Sequence, residues 1–102
     1  MANSFTLSND AERDIIDIYL YSLEQFGETQ ADAYIGALYQ RFSQIAATPT
    51  LGRDFGDIHE GVWRLNQQSH AIYYKQDTQG LFVLRVLHQS MDPARHLSVE
   101  LG

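Results

Sequence analysis

Hydrophobic positions along this chain first follow a helical repeat and then an alternating one, and the switch falls just after Pro49. Phe5-Thr6-Leu7-Ser8 reads as a short opening strand. Ser8 or Asn9 can cap a helix, and Asp10 and Glu12 suit the positive end of its dipole. The pattern predicts a helix to about Phe26, stopped by Gly27. Its apolar residues make two stripes, Ala11, Ile15, Ile18, Tyr19 and Phe26 in one and Ile16, Leu20 and Leu23 in the other. Two stripes predict two buried contacts, one with a sheet and one with a second helix. That helix follows at once. Thr29-x-x-Asp32 resembles a capping box, and Ala31, Tyr34, Ile35, Leu38, Phe42 and Ile45 recur at helical spacing up to the bound set by Pro49. With only about three linking residues, the two helices are expected to form an antiparallel hairpin.

A turn-rich stretch from Thr50 to Glu60 separates the helices from three predicted strands. Val62 to Asn66 alternates, with Trp63 and Leu65 on one face and Val62 and Arg64 on the other. His70 to Lys75 is next, and Asp77-Thr78-Gln79-Gly80 turns the chain into Leu81 to His88. In that last strand, alternation groups Phe82, Leu84 and Val86 against Leu81, Val83, Arg85 and Leu87. Apolar residues on both faces mark a covered, central strand. The expected architecture is α+β, in the order β-α-α-β-β-β, with a helical hairpin packed on one face of an antiparallel four-stranded sheet.

At 102 residues the chain is expected to be one domain, residues 1–102, and its 44% apolar content allows a modest core. No apolar run approaches the roughly 18 residues of a membrane span. No basic region precedes an apolar run at the N-terminus, so no secretory signal is expected. The absence of cysteine excludes disulfides and thiolate metal sites and fits the cytoplasm. Net charge changes the picture most. Seven basic residues stand against thirteen acidic ones, a balance of −6. Nucleic-acid binding begins with cations that neutralise phosphates, so a protein partner is favoured over direct nucleic-acid binding.

Several pieces of the sequence occur together in a familiar order. The opening strand ends Leu7-Ser8; Ala11 and Ile15 begin the helix, with Tyr19 near its middle; Pro49-Thr50-Leu51-Gly52 follows the second helix. The end reads Arg85-Val86-Leu87-His88, then Met91-Asp92, then Arg95-His96-Leu97. In this order they resemble the ParE branch of the RelE/ParE toxin superfamily, over nearly the whole chain. The resemblance implies the toxin component of a type II toxin–antitoxin system. Such a toxin inhibits DNA gyrase by protein–protein contact and is neutralised by a ParD-like antitoxin in a hetero-oligomer. It implies no enzymatic activity and no cofactor. The RelE branch consists of ribosome-dependent mRNA endonucleases with several basic residues on the sheet and an acid/base residue near the last strand. This sequence departs from that pattern, since only Arg53, Arg64 and Arg85 could join His88. An mRNA endonuclease and a non-toxic partner-binding member stay open as alternatives.

The candidate target- or partner-binding residues are Trp63, Arg64, Arg85, His88, Met91, Asp92, Arg95 and His96. Arg85 lies among aliphatic residues and must have partners. These are either a structural ion pair, with Asp92 or an acidic helix residue, or a carboxylate or phosphate brought by a partner. His88, at the strand end, is of a residue type that can serve as general acid or base, but one histidine does not make a nuclease. Trp63 is read as core unless its strand lies at an edge. His88, Asp92 and His96 are spaced four apart, yet Pro93 turns Asp92 away from helical geometry, so no metal site is expected. Tyr19, Tyr21, Tyr34 and Tyr39 are read as helix packing, and Asp14, Asp17 and Glu24 as a solvated helix face. Met91 to Leu97 is expected to be ordered, with Met91 and Leu97 as apolar anchors.

Overall fold

A computed structural model of the chain describes residues 4–78 and 80–101, with the helical backbone alone for 98–101. Strand β1 (Phe5–Leu7) leads into helix α1 (Asn9–Phe26) and helix α2 (Glu28–Ala47). A 3-10 turn at Pro49–Leu51 precedes β2 (Arg53–Asp54), β3 (Trp63–Gln67), β4 (His70–Asp77), β5 (Gly80–His88) and α3 (Pro93–Leu101). Ser8 caps α1, its side chain accepting the Ala11 N–H. Gly27 joins the two helices by itself, at φ 91°, a region open chiefly to glycine. Because the turn needs one residue rather than three, α2 starts at Glu28. The expected Thr29–Asp32 capping box is therefore not used, and no side chain caps that end.

The fold is α+β, with the helical hairpin over one face of a sheet, as the pattern predicts. The sheet has five strands rather than four, in the order β1-β5-β4-β3-β2. The additional strand, β2, is two residues inside the stretch read as turns. The sheet is also not wholly antiparallel, for β1 runs parallel to β5. The cause is the path of α1. It leaves β1 and continues along β5 in the same direction, placing Ser8 beside Val83 and Leu84 and Asp14 beside Arg85 and Val86. Helix α2 returns, and three antiparallel strands then bring β5 into the direction of β1. The expected central position of β5 is correct, with β1 on one side and β4 on the other.

Two clusters form the core. Toward the hairpin, Ile15, Ile18, Leu38, Phe42 and Ile45 meet Ile72, Tyr74, Leu81, Val83 and Val86. On the other face, Val62, Ala71, Tyr73, Leu84 and Leu87 meet Leu97 of α3, with Phe55 and Phe82 packed against them. The simple alternation assigned to β5 fails at Leu84. Tyr73 faces Arg85 while Tyr74 faces Val83, so Leu84 is an extra residue, a bulge that shifts the phase. Val86 therefore joins Leu81 and Val83 on the hairpin side, and Leu84 and Leu87 face away. The second stripe of α1 is also not buried. Ile16 and Leu20 are 56% and 55% exposed, because α2 packs beside the first stripe and nothing among the described residues covers the other.

Candidate functional site

Strand β5 has nine residues and β1 only three, so the far half of β5 has no strand beside it on that side. Side chains of α1 take its place. The Ser8 N–H donates to the Val83 carbonyl at 2.9 Å, and the Ser8 hydroxyl donates to the Leu84 carbonyl at 2.6 Å. The Asp14 carboxylate then accepts the Val86 N–H at 2.9 Å and grips Arg85 through Nε at 2.8 Å and Nη2 at 2.9 Å. Arg85 Nη1 donates to the His96 carbonyl of α3 at 2.9 Å. One guanidinium thus joins α1, β5 and α3. The two side chains are only 15% and 13% exposed, so removing one partner strands a charge at a cost of about 3 kcal/mol. Arg85 is the structural ion pair with an acidic helix residue. Asp14 is not part of a solvated face.

Beyond this junction a groove of about 640 Å³ opens between the second half of α1, the β3–β4 turn and the end of β5. Ile18, Tyr21, Phe26, Val86 and Met91 supply its apolar lining, His70 and His88 its polar groups, and Asp14 and Asp17 its charge. A smaller recess of about 290 Å³ shares Tyr21, Phe26 and His70 and reaches Tyr34 and Gln30 of α2. Tyr21 and Phe26 are 61% and 63% exposed, so they form an open apolar wall and not the helix packing read for Tyr21. Aromatic side chains held at the lip of a groove are characteristic of docking surfaces.

His70 and His88 face each other across β4 and β5, ring centres 5.5 Å apart and edge to face. The Tyr34 hydroxyl donates to the Gln67 carbonyl at 3.0 Å and lies 2.7 Å from His70 Nδ1. With its single proton so placed, it accepts from His70 Nδ1–H. His88 Nδ1 accepts the Ser90 N–H at 3.1 Å and lies 2.8 Å from the Ser90 hydroxyl, which puts the neutral ring's proton on Nε2. Burial holds the pKa of His70 below the ordinary histidine value; His88 nearby pushes the same way and Asp14 opposes.

The sequence candidates do not converge on one place. Trp63 packs half-buried against the hairpin-side core, because β2 and not β3 is the edge strand. Arg64 lies on the opposite face, its guanidinium 5.6 Å from the ring centre of Tyr73 and 5.9 Å from that of Phe55. His88 and Met91 line the groove. Asp92 caps α3, accepting the Ala94 N–H at 3.1 Å, and Pro93 is the first helical residue, so His88, Asp92 and His96 do not share a helix. His96 gives its carbonyl to Arg85, and Arg95 is exposed. Of the two expected anchors in Met91 to Leu97, Leu97 is fully buried and Met91 is exposed at the groove. The residues missed are Ser8 as an edge cap, Asp14, His70 and Tyr34. A signal for Asp14 exists: it stands three after Ala11 and four before Ile18, on the buried stripe, where a carboxylate requires a cation.

A helical hairpin over one face of a mixed sheet defines a small α+β protein with an open apolar groove at the end of its sheet, where hairpin and sheet part. Comparison with known proteins narrows this. Residues 5–93 match the family model described as the ParE toxin of type II toxin–antitoxin systems, parDE. The chain belongs to the ParE toxin family. Toxin ParE1 of Mycobacterium tuberculosis is 33% identical over 98 residues, 95% of this chain and 100% of that protein. Toxin ParE1 of Caulobacter vibrioides is 33% identical over 93 residues, 91% of this chain and 96% of the relative. In fold, the chain resembles one solved as part of the chromosomal ParDE system of P. aeruginosa, with a TM-score of 0.73 over 85% of this chain and 96% of the other at 15% identity.

Proposed function

We propose that this ParE-family toxin acts without enzymatic chemistry, by binding DNA gyrase through protein contact in the cytoplasm, and that a ParD-like antitoxin silences it in a hetero-oligomer. One observation carries the non-enzymatic part. The residues that an RNase of this fold would need together are apart. Arg53 and Arg64 pair across β2 and β3 on the face away from the hairpin, whereas His88 pairs with His70 and lines the hairpin-side groove. Arg85 is already spent on Asp14 and the His96 carbonyl. Among the described residues no lysine or arginine lines the groove beside His88 to hold a phosphate, and Asp17 in the same groove would repel one.

The antitoxin reading draws on the groove and on the exposed stripe of Ile16, Leu20 and Leu23, which together suit the apolar face of an amphipathic segment. The gyrase reading draws on family membership. The deciding experiment uses the purified chain and scores supercoiling and cleavage complexes by gyrase beside the integrity of ribosome-bound mRNA. Gyrase inhibition with intact mRNA is expected. Ribosome-dependent cleavage lost in His88→Ala would replace this reading with the endonuclease.

A further inference from the structure

We propose that Arg53 and Arg64 form a carboxylate-binding site that docks an acidic segment of a second protein on the sheet face away from the helical hairpin. The two arginines are direct cross-strand partners in β2 and β3. Like charges placed opposite each other repel, so the pair costs stability where it stands. Three of the other four arginines relieve their charge or are hydrogen-bonded inward: Arg13 pairs with Asp10, Arg85 with Asp14, and Arg41 bonds Gln67 and Gln44, while Arg95 stands alone on α3 with no second arginine opposite it. Among the described residues no carboxylate forms an ion pair with Arg53 or Arg64. The adjacent acid does not answer them. Asp54 pairs with Trp63, on the opposite side of the strand, and its carboxylate accepts the Gly56 N–H at 2.7 Å.

The site is shaped as well as charged. A cavity of about 380 Å³ lies at this corner, lined by Leu51, Gly52, Arg53, Arg64, Leu65 and Asn66. Arg64 is held in place by Phe55 and Tyr73 and by Nε donating to Asn66 Oδ1 at 3.2 Å. A guanidinium fixed by stacking loses little freedom when it takes up a planar two-oxygen ligand. Leu51 is exposed beside it, which suits an apolar residue next to the partner's carboxylate. Gly52 lets the chain lie close against β3 at this corner, since a Cβ there would run into the Tyr74 hydroxyl and the Arg64 carbonyl. A carboxylate is favoured over a nucleic-acid phosphate because the whole molecule carries −6, which repels a polyanion at long range and leaves a short acidic segment much less affected. This surface is distinct from the groove of Tyr21 and His88 and does not depend on which target the toxin poisons.

The test is an amide and arginine Nε–H NMR titration of the full chain. The probes are a capped peptide of alternating glutamate and leucine, its lysine-for-glutamate counterpart, and oligo-dT. The acidic peptide is expected to shift signals of β2, β3 and both arginines and to leave Tyr21 and His88 unmoved. Binding should weaken with salt and fall roughly tenfold in Arg64→Lys, which keeps the charge and loses the fork. Arg53→Gln, at an exposed side chain, provides a second variant with the same expected loss. The proposal is overturned by no shift at millimolar acidic peptide, by equal binding of the lysine peptide, by unchanged affinity in both variants, or by oligo-dT binding the same residues more tightly.

Discussion

The two faces of the sheet are covered unequally. Toward the hairpin, helices of 18 and 20 residues bury Leu38, Phe42, Ile45, Ile72, Tyr74 and Val83. On the other face, Leu84, Leu87, Tyr73, Ala71 and Val62 lie beneath Phe55 and a nine-residue helix that contributes Leu97. The thick cover is a core held by many contacts. Among the described side chains, Leu97 and the Arg85 guanidinium pin the thin cover, and it leaves the corner of β2 and β3 bare. Stability therefore resides mainly on one side, and both open surfaces arise where cover runs out, at the groove past the end of β1 and at the arginine corner.

If this contrast is right, Phe42→Ala should have the largest effect, about 3–5 kcal/mol in urea unfolding, since it hollows the thick side. Asp14→Asn should cost about 3 kcal/mol, because the Arg85 guanidinium loses its counter-charge and an amide NH2 takes the place of one of the two oxygens that accept from it. Pairing Asp14→Leu with Arg85→Met should restore much of that loss, and a strictly additive double variant would contradict the coupling. Leu97→Ala should cost about 2 kcal/mol, less than Phe42→Ala, because a short terminal helix can settle inward to fill the space. Equal costs for the two would erase the difference between the faces.

Smaller effects sharpen the picture. The Tyr74 hydroxyl donates to the Pro49 carbonyl at 2.6 Å and accepts the Gly52 N–H at 3.0 Å. Tyr74→Phe should cost about 1 kcal/mol and speed hydrogen exchange at Gly52 before that of the rest of the sheet. Acid provides the smallest effect. Because burial lowers the pKa of His70 on folding, its neutral form is favoured in the native state. That contribution is complete above the unfolded value of about 6.5 and is lost as pH falls below it and through the native value. Between about pH 7.5 and about pH 5.5, wild type should lose slightly more stability than His70→Gln, as read by urea midpoints.

Much of the fold was legible because periodicity reports burial directly. Both helices, the last three strands and the cap at Ser8 follow from spacing and capping chemistry. What escaped depended on events outside a local window. The bulge at Leu84 exists only relative to β4, so alternation carried the wrong phase past it. Strand β2 is too short to show a period. Helix α3 is announced by Asp92-Pro93, a cap followed by a proline at the first helical position, but the sequence reading uses Pro93 only to turn Asp92 away from helical geometry and draws no helix start from it. Of the candidate site, the need of Arg85 for a partner was plain, while the identity of that partner required knowing that α1 runs on along β5. Pairing of His70 with His88 and of Arg53 with Arg64 is set by strand register, which residue types alone do not reveal.

The way α1 closes the flank of β5 also bears on self-association. Leu81 to Leu87 is an apolar, β-prone run of the kind that pairs readily with copies of itself once exposed. Here its main chain is sealed on one side by β4 and on the other first by β1 and then by the Ser8 hydroxyl and the Asp14 carboxylate. The strands left at the rims span three and two residues, too short to template a growing ladder. Variants that loosen Asp14 should therefore fail by clumping at high concentration before they fail by unfolding, and the chain on its own is guarded against deposits by two polar side chains.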